Sequence, residues 1–473
     1  MALFPLKKAF LLISMAFTSI FLASNLAYSA TPPSDSTSSE EEPEPLILIT
    51  NVNIFDGFSP TLIKGKSVLI QGNHIIKVDD DIDEEESKGA KVIDGEGRTL
   101  TPGLIDMHSH VTFMAPEGTN TFTYEWDFGA AGAMAAQSLR DDYLLKGITS
   151  ARDIAGNSRG IANAIQIGAL MGPRLYTSGG VLSHTGGHGD WGAKNDAEPN
   201  DYGALIQQSY IVDGREDVIR AARRNFRGGA DFIKIMAGGG VASIFDPLEI
   251  LGATKEELEA AVEISSDYGT YVAVHAYHDD SYNRALDAGV RSFEHGFLVS
   301  EETVERMADM IDDGDEIVWS FQCFMSVNTF GSYESMPDFF THEQKLKGVA
   351  VGEGARKVAE MMKKHEVFTI GGADMFSSPY KGMIKEDITC NVDAGYTPAE
   401  ALKHWTGNAG IVLKWSGPLD PYPTYEIGTI KENAFADILL WDGNPLEDIK
   451  LILDEDKLDL IMKDGVIYKQ ELK

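Results

Sequence analysis

The chain has 473 residues, enough for one (β/α)8 barrel plus a modest accessory domain, and its 43% hydrophobic and 24% charged content excludes collagen-like, wholly disordered and multi-span membrane classes. Asp and Glu number 73 against 40 Lys and Arg, and the net charge of −33 repels polyanions, so neither nucleic acid nor anionic lipid is an expected partner. Two cysteines, Cys323 and Cys390, are too few for a disulfide framework or a Cys-based zinc site and are expected as free, buried thiols.

Residues 1–29 carry Lys7 and Lys8, then the apolar run Ala9 to Leu22, then small residues up to Ala30. This reads as a signal peptide cut before Ala30, with secretion or a periplasmic location as the expectation. The run is short of the roughly 20 residues of a spanning helix and holds Ser14, Thr18 and Ser19, so no permanent membrane anchor is expected. Residues 30–45 are rich in Pro, Ser and acids and read as a disordered linker. From 46 to 100 the texture is strand-like, in Leu46–Ile54 and Ser67–Ile70, with the acidic run Asp79 to Glu86 as a solvated loop. From 101 to 410 strands alternate with helices, the α/β pattern of a (β/α)8 TIM barrel. Its predicted strands are 106–110, 148–153, 174–178, 232–236, 272–275, 292–295, 317–321 and 368–372. Residues 411–473 return to strand-like runs at Ile427–Ile430, Ala436–Trp441 and Leu460–Met462. The long connections 111–135 and 324–345 are expected as lids, with Phe122, Tyr124, Trp126, Phe339 and Phe340 forming an apolar subsite.

The ionisable residues of interest fall at predicted strand ends, the face that carries the active site in such a barrel. His108 and His110 are two apart on a strand, so both imidazoles project to one side and can hold one metal ion, or be two polar residues near a turn. Lys234 lies inside the apolar Phe232-Ile233-Lys234-Ile235-Met236, where an ammonium needs a partner or a lowered pKa. A neutral amine there can add CO2, and the carbamate can bridge two metal ions; the other reading is a lysine for an anionic substrate. His275 and His295 each end an apolar strand, and with the preceding three make a ligand cluster the better account. Asp374 at the end of strand 8 can shuttle a proton to a leaving nitrogen or cap a helix.

The order His-x-His, strand-4 Lys, strand-5 His, strand-6 His, strand-8 Asp resembles the amidohydrolase superfamily, specifically its two-metal members. Gly186-Gly187-His188-Gly189-Asp190 and Ile233 to Val241 look like the branch of Xaa-Pro dipeptidase-like and ochratoxinase-like proteins related to imidazolonepropionase. The resemblance implies a small β-sandwich built from both chain ends. It implies His108 and His110 on a buried metal, His275 and His295 on a more exposed one, carboxylated Lys234 bridging them, and Asp374 as ligand and proton shuttle. Zinc is the expected metal at both positions. His188 is expected to contact the substrate or its carbonyl oxygen, and Tyr277 to bind substrate. The implied activity is hydrolysis of the amide bond of a dipeptide or N-acyl amino acid. A one-metal deaminase or imidazolone-ring hydrolase, a lactonase or ester hydrolase, and an inactive binding barrel are the competing readings. Expected partners are a small-molecule or peptide substrate and, for a homo-oligomer, further copies of the chain.

Overall fold

Runs of β-branched residues bounded by Asn, Asp and Gly at the two ends of the chain meet in one sheet. The computed structural model describes residues 44–114, 128–192, 194, 203–204, 206–376 and 382–472. The expected signal peptide, the linker up to residue 43, and Phe122, Tyr124 and Trp126 lie outside the described residues. The N-terminal strands are β1 (Leu46–Ile54), β2 (Ile63–Gln71), β3 (His74–Asp79), β4 (Lys91–Asp94) and β5 (Thr99–Pro102). The middle of the chain supplies β6 (Leu104–Ser109), β7 (Ile148–Asp153), β8 (Arg174–Thr177), β9 (Val181–Ser183), β10 (Ser209–Ile211), β11 (Ile233–Met236), β12 (Val272–His278), β13 (Ser292–Leu298), β14 (Val318–Phe321) and β15 (Thr369–Gly371). The C-terminal strands are β16 (Ile438–Trp441), β17 (Leu458–Lys463) and β18 (Val466–Gln470).

The terminal strands form an eight-stranded sheet in the order β18-β17-β16-β5-β1-β2-β3, with β4 paired to β1. Its core is Ile49, Val52, Ile54, Val68, Ile70, Leu100, Ile438, Leu440 and Leu460, all buried. Ile427 to Ile430, predicted as strand-like, is not a strand. Ile427 and Ile430 are buried by their side chains while Glu426 alone bridges to Ala434.

The middle strands are parallel and form two sheets, β6-β7-β8 and β10-β9-β11-β12-β13-β14-β15. They are buried along nearly their whole length, as parallel strands covered on both faces are. β15 lies against β6, where Ser109 bridges in parallel to Met375 and Asp374 N donates to His108 O at 2.8 Å. That approach needs Gly372, because a Cβ there would lie 2.4 Å from His108 N. β6–β8 and β11–β15 lie at the eight predicted strand positions, although β12 and β13 each run three residues further than predicted. β9 and β10 were not predicted, being three residues each and too short to show alternation.

Helices separate the strands: α1 (Phe128–Ser138), α2 (Arg159–Gln166), α3 (Arg215–Arg227), α4 (Lys255–Asp267), α5 (Asp279–Asp287), α6 (Glu301–Asp312), α7 (His342–Lys364), α8 (Glu386–Asp393), α9 (Pro398–His404) and α10 (Gly407–Leu413). α4, α7 and α9 start with capping boxes on Thr254, Thr341 and Thr397, each satisfying two backbone donors. Among the described residues no helix is long and apolar enough to cross a membrane.

Arg174, at the start of β8 and 2% exposed, joins the terminal sheet to the parallel strands. Its guanidinium donates to Asp437 Oδ1 at 3.0 Å and Asp437 Oδ2 at 3.1 Å, reaches Asp464 Oδ2 at 2.8 Å, and lies 3.9 Å from the Phe435 ring centre. Cys323 and Cys390 are not free thiols: they form a disulfide. Their separation of 67 residues hid the pairing, which arises because Cys323 follows β14, Cys390 sits in α8, and the fold brings their Cα atoms to 5.7 Å. Phe339 and Phe340 also differ from expectation, since Phe340 is buried in the core with Phe339 packed against it. Replacing both cysteines by serine is expected to lower the unfolding free energy by about 2–5 kcal/mol in a denaturant titration, by freeing a long loop in the unfolded chain; an unchanged midpoint would mean that the crosslink does not constrain it.

Candidate metal centre

Because alternate residues of a strand share a face, His108 on β6 and His110 just beyond it present their rings together, 5.2 Å apart. Lys234 enters from β11, His275 and Tyr277 from β12, and His295 from β13, while Asp374 follows β15 and His188 lies in the glycine-rich loop after β9. All of these residues line one cavity of about 60 Å³. Asp374 is its hub. Its Oδ1 lies 3.0 Å from His110 Nε2 and 3.5 Å from His108 Nε2, and its Oδ2 lies 3.9 Å from His295 Nδ1. One ligand atom each from His108, His295 and Asp374 falls within 4.8 Å of the others. His275 is packed 4.5 Å from the His295 ring. His295 and Asp374 hold φ values of 70° and 54°, a left-handed conformation that costs a non-glycine residue energy and that recurs where a site dictates geometry.

Burial sets the charge states. It pushes His108 and His275 well below the ordinary histidine value and His295 down to about 3, so the imidazoles are neutral and have lone pairs to offer. Burial likewise lowers Lys234 to about 8, with Glu294 opposing and Arg152 reinforcing the shift. For Asp374 burial works the other way, yet His108, His110 and His295 hold its carboxyl well below the usual carboxylate range. His295 Nδ1 is buried without a hydrogen-bond partner among the described residues, and His275 Nε2 donates to Gly239 O at 3.1 Å, leaving Nδ1 as an acceptor. Neutral imidazoles, an ionised carboxylate and an easily deprotonated lysine fit a divalent metal centre.

His188 stacks on His275 at 4.1 Å and 13°, with its Nδ1 2.8 Å from Ser243 Oγ. Ser243 Oγ donates to Gly240 O at 3.2 Å, so it accepts the Nδ1 proton and leaves Nε2 uncommitted. Gly240 must be glycine here, because a Cβ would lie 1.9 Å from the His188 ring. Lys347 Nζ clamps the same loop through the carbonyls of Gly240, Ser243 and Asp246. His278, by contrast, precedes α5 at its N-cap position, with no side-chain capping bond, and does not line the cavity.

Sequence reasoning missed the aromatic wall of Phe113, Trp191, Phe330 and Phe376, which lines the cavity where Phe339 and Phe340 do not. Nothing in their local pattern distinguishes them from core residues. It also missed Glu294, which touches His108, and Arg152, which is paired with Glu294. Their signal was available, since each is a charge inside a predicted strand, and a buried charge is rare without a partner.

The chain belongs to the amidohydrolase family, whose model matches residues 99–468. Ochratoxinase of Aspergillus niger is 29% identical over 403 residues, covering 78% of this chain and 75% of that protein. The imidazolonepropionase of Geobacillus kaustophilus is 26% identical over 285 residues, covering 52% of this chain and 61% of that one. A crystal structure of a prolidase complexed with N-methylphosphonate-L-proline is 29% identical with a TM-score of 0.79, covering 90% of this chain and all of that one (100%). These relatives fall in the branches that the motifs resemble, and they support a hydrolase.

The lowered histidine values have a sign consequence for the metal-free protein. The folded state binds fewer protons than the unfolded one below the ordinary value of 6.5, so stability is complete above that pH and is lost as the pH falls toward about 3. Each such histidine steepens the loss by up to about 1.4 kcal/mol per pH unit. Urea midpoints of chelated protein should therefore drop between pH 7 and pH 5; midpoints that stay level would contradict the neutral, buried state of these rings.

Proposed function

We propose that the chain is a binuclear metal hydrolase, using zinc, that cleaves the amide bond of a dipeptide or N-acyl amino acid. The observation that carries this reading is the convergence of His108, His110, Lys234, His275, His295 and Asp374 on one cavity. The prolidase relative, with its proline-bearing phosphonate, supports an amide substrate ending in an amino acid. In this reading β6–β8 and β11–β15 are the eight strands of one (β/α)8 barrel, and the terminal sheet belongs to a β-sandwich domain. The leader segment sends the protein to a secreted or periplasmic location.

His108, His110 and Asp374 would hold one metal and His275 and His295 the other. Lys234 would bridge them after its neutral Nζ adds CO2 and releases a proton. Divalent metals, when bound, supply Lewis-acid polarisation of a carbonyl and acidify water. Asp374, already ionised, accepts a proton from the attacking water on a carboxylate oxygen and delivers it to the departing nitrogen. His188 keeps Nε2 for the substrate carbonyl oxygen, and Tyr277 contacts the substrate beside it. Phe113, Trp191, Phe330 and Phe376 exclude water and receive an apolar side chain.

Metal content should be near two per chain in protein purified without chelators, falling sharply in Lys234→Ala, and the loaded enzyme should release amino acids from Xaa-Pro dipeptides or N-acyl amino acids. One metal per chain that Lys234→Ala leaves unchanged, with ammonia released from an amidine or imidazolone, would replace this reading by a deaminase-like one. Asp374→Asn is expected to lower kcat by about 10²–10⁴-fold. Gly240→Ala, which displaces His188, should lower turnover while leaving the metal content intact; loss of metal in that variant would assign the loop to the centre rather than to substrate.

A further inference from the structure

One layer beneath the cavity lies a group of charges that substrate chemistry does not require. Glu294 in β13 is fully buried, and its Oε2 is 2.8 Å from Nδ1 of His108 across the fold in β6. Its Oε1 accepts from Arg152 Nη2 at 2.7 Å and from Ser292 Oγ at 2.8 Å. Arg152, on β7 and equally buried, donates through Nε to Met107 O at 2.6 Å and through Nη1 to Ser292 Oγ at 2.9 Å. Three strands are thus tied together through one ion pair.

A buried ion pair is weak evidence for stability, because apolar residues of equal volume often do as well. Its placement against a ligand is more telling. A carboxylate paired with an arginine only accepts hydrogen bonds, so the His108 proton resides on Nδ1 and the lone pair on Nε2, the nitrogen that faces Asp374 at 3.5 Å. Gln322 Nε2 lies 3.2 Å from the same Nδ1 and donates to Ser320 Oγ at 2.7 Å; an amide nitrogen accepts no hydrogen bond, so it cannot take the Nδ1 proton from Glu294. The second-layer partner of His275 is only a backbone carbonyl, Gly239 O at 3.1 Å. A carboxylate behind an imidazole fixes its orientation and raises its basicity as a ligand; a neutral carbonyl does so less.

We infer that Glu294 is a positioning residue for a divalent metal at His108 and Asp374, that Arg152 holds Glu294 in place, and that this half of the centre keeps its metal more tightly than the half at His275. The inference rests on the metal-hydrolase reading above. Its test is a Zn2+ titration of the full chain against a chelating dye, for the parent, Glu294→Gln and Ser292→Ala, with metal-free melting curves and Co2+ visible spectra recorded beside it. Glu294→Gln keeps the shape and removes the charge, and should weaken the tighter of two binding steps by about 10–100-fold and alter the Co2+ spectrum of that step. Ser292→Ala, which removes one hydrogen bond to Glu294 and one from Arg152 but leaves their ion pair, should weaken the same step by a smaller factor. A parent that binds Zn2+ with Glu294→Gln within twofold of it overturns this inference alone, whereas a parent that binds none overturns the metal reading with it. If Glu294→Gln does not melt as a folded protein, Ser292→Ala decides: weaker binding at the tighter step supports the role, and parental affinity overturns it.

Discussion

Exclusion of water from the ends of parallel strands is the constraint on which the site depends. Strands covered on both faces desolvate whatever side chains they carry, and a charge placed there must be neutralised or paired. His108, His275 and His295 are therefore neutral and able to offer lone pairs. The same desolvation makes Lys234 easy to deprotonate, while Asp374 keeps its charge because three imidazoles face it. The charge pattern that suits a metal follows from burial combined with geometry, with no one residue carrying it.

That geometry is held by features away from the cavity. Arg174 locks the start of β8 to Asp437 and Asp464 of the terminal sheet, and Lys347 gathers the carbonyls of the loop that supports His188. Gly372 lets β15 approach β6 closely enough for Asp374 to meet both His110 and His108. Close approach at these positions leaves little room for the ligands to relax, which is what a preorganised centre requires.

That these residues belong together was legible in the sequence, because the pattern is local: His-x-His on a strand, a lysine among isoleucines, and histidines at the ends of apolar runs, all of which line one cavity. The parallel strands were legible for a related reason, since buried β-branched runs alternate with helices over most of the chain. What escaped was information that exists only in three dimensions. The Cys323–Cys390 bond joins positions 67 residues apart. Phe330 and Phe376 line the cavity while Phe339 and Phe340 pack inward, and no pattern of aromatic spacing separates the two pairs. β9 and β10 are too short for periodicity to register, and Ile427 to Ile430 has strand-like composition without a strand partner. Glu294 and Arg152 stood in plain view as charges within predicted strands, but their meaning depends on which strand each one faces.

The terminal sheet pairs Thr99–Pro102 with Ile438–Trp441, so its middle joins segments separated by more than three hundred residues. During synthesis β5 emerges more than three hundred residues before β16, and until β16 arrives the edge of β5 that it pairs is uncovered. Most of the parallel strands pair with neighbours in sequence, whereas the sheet that fastens β8 through Arg174 needs strands from both sides of them in the chain. The terminal sheet is thus completed only from far downstream in the chain: a chain cut before β16 retains every proposed metal ligand but lacks the partner that covers β5.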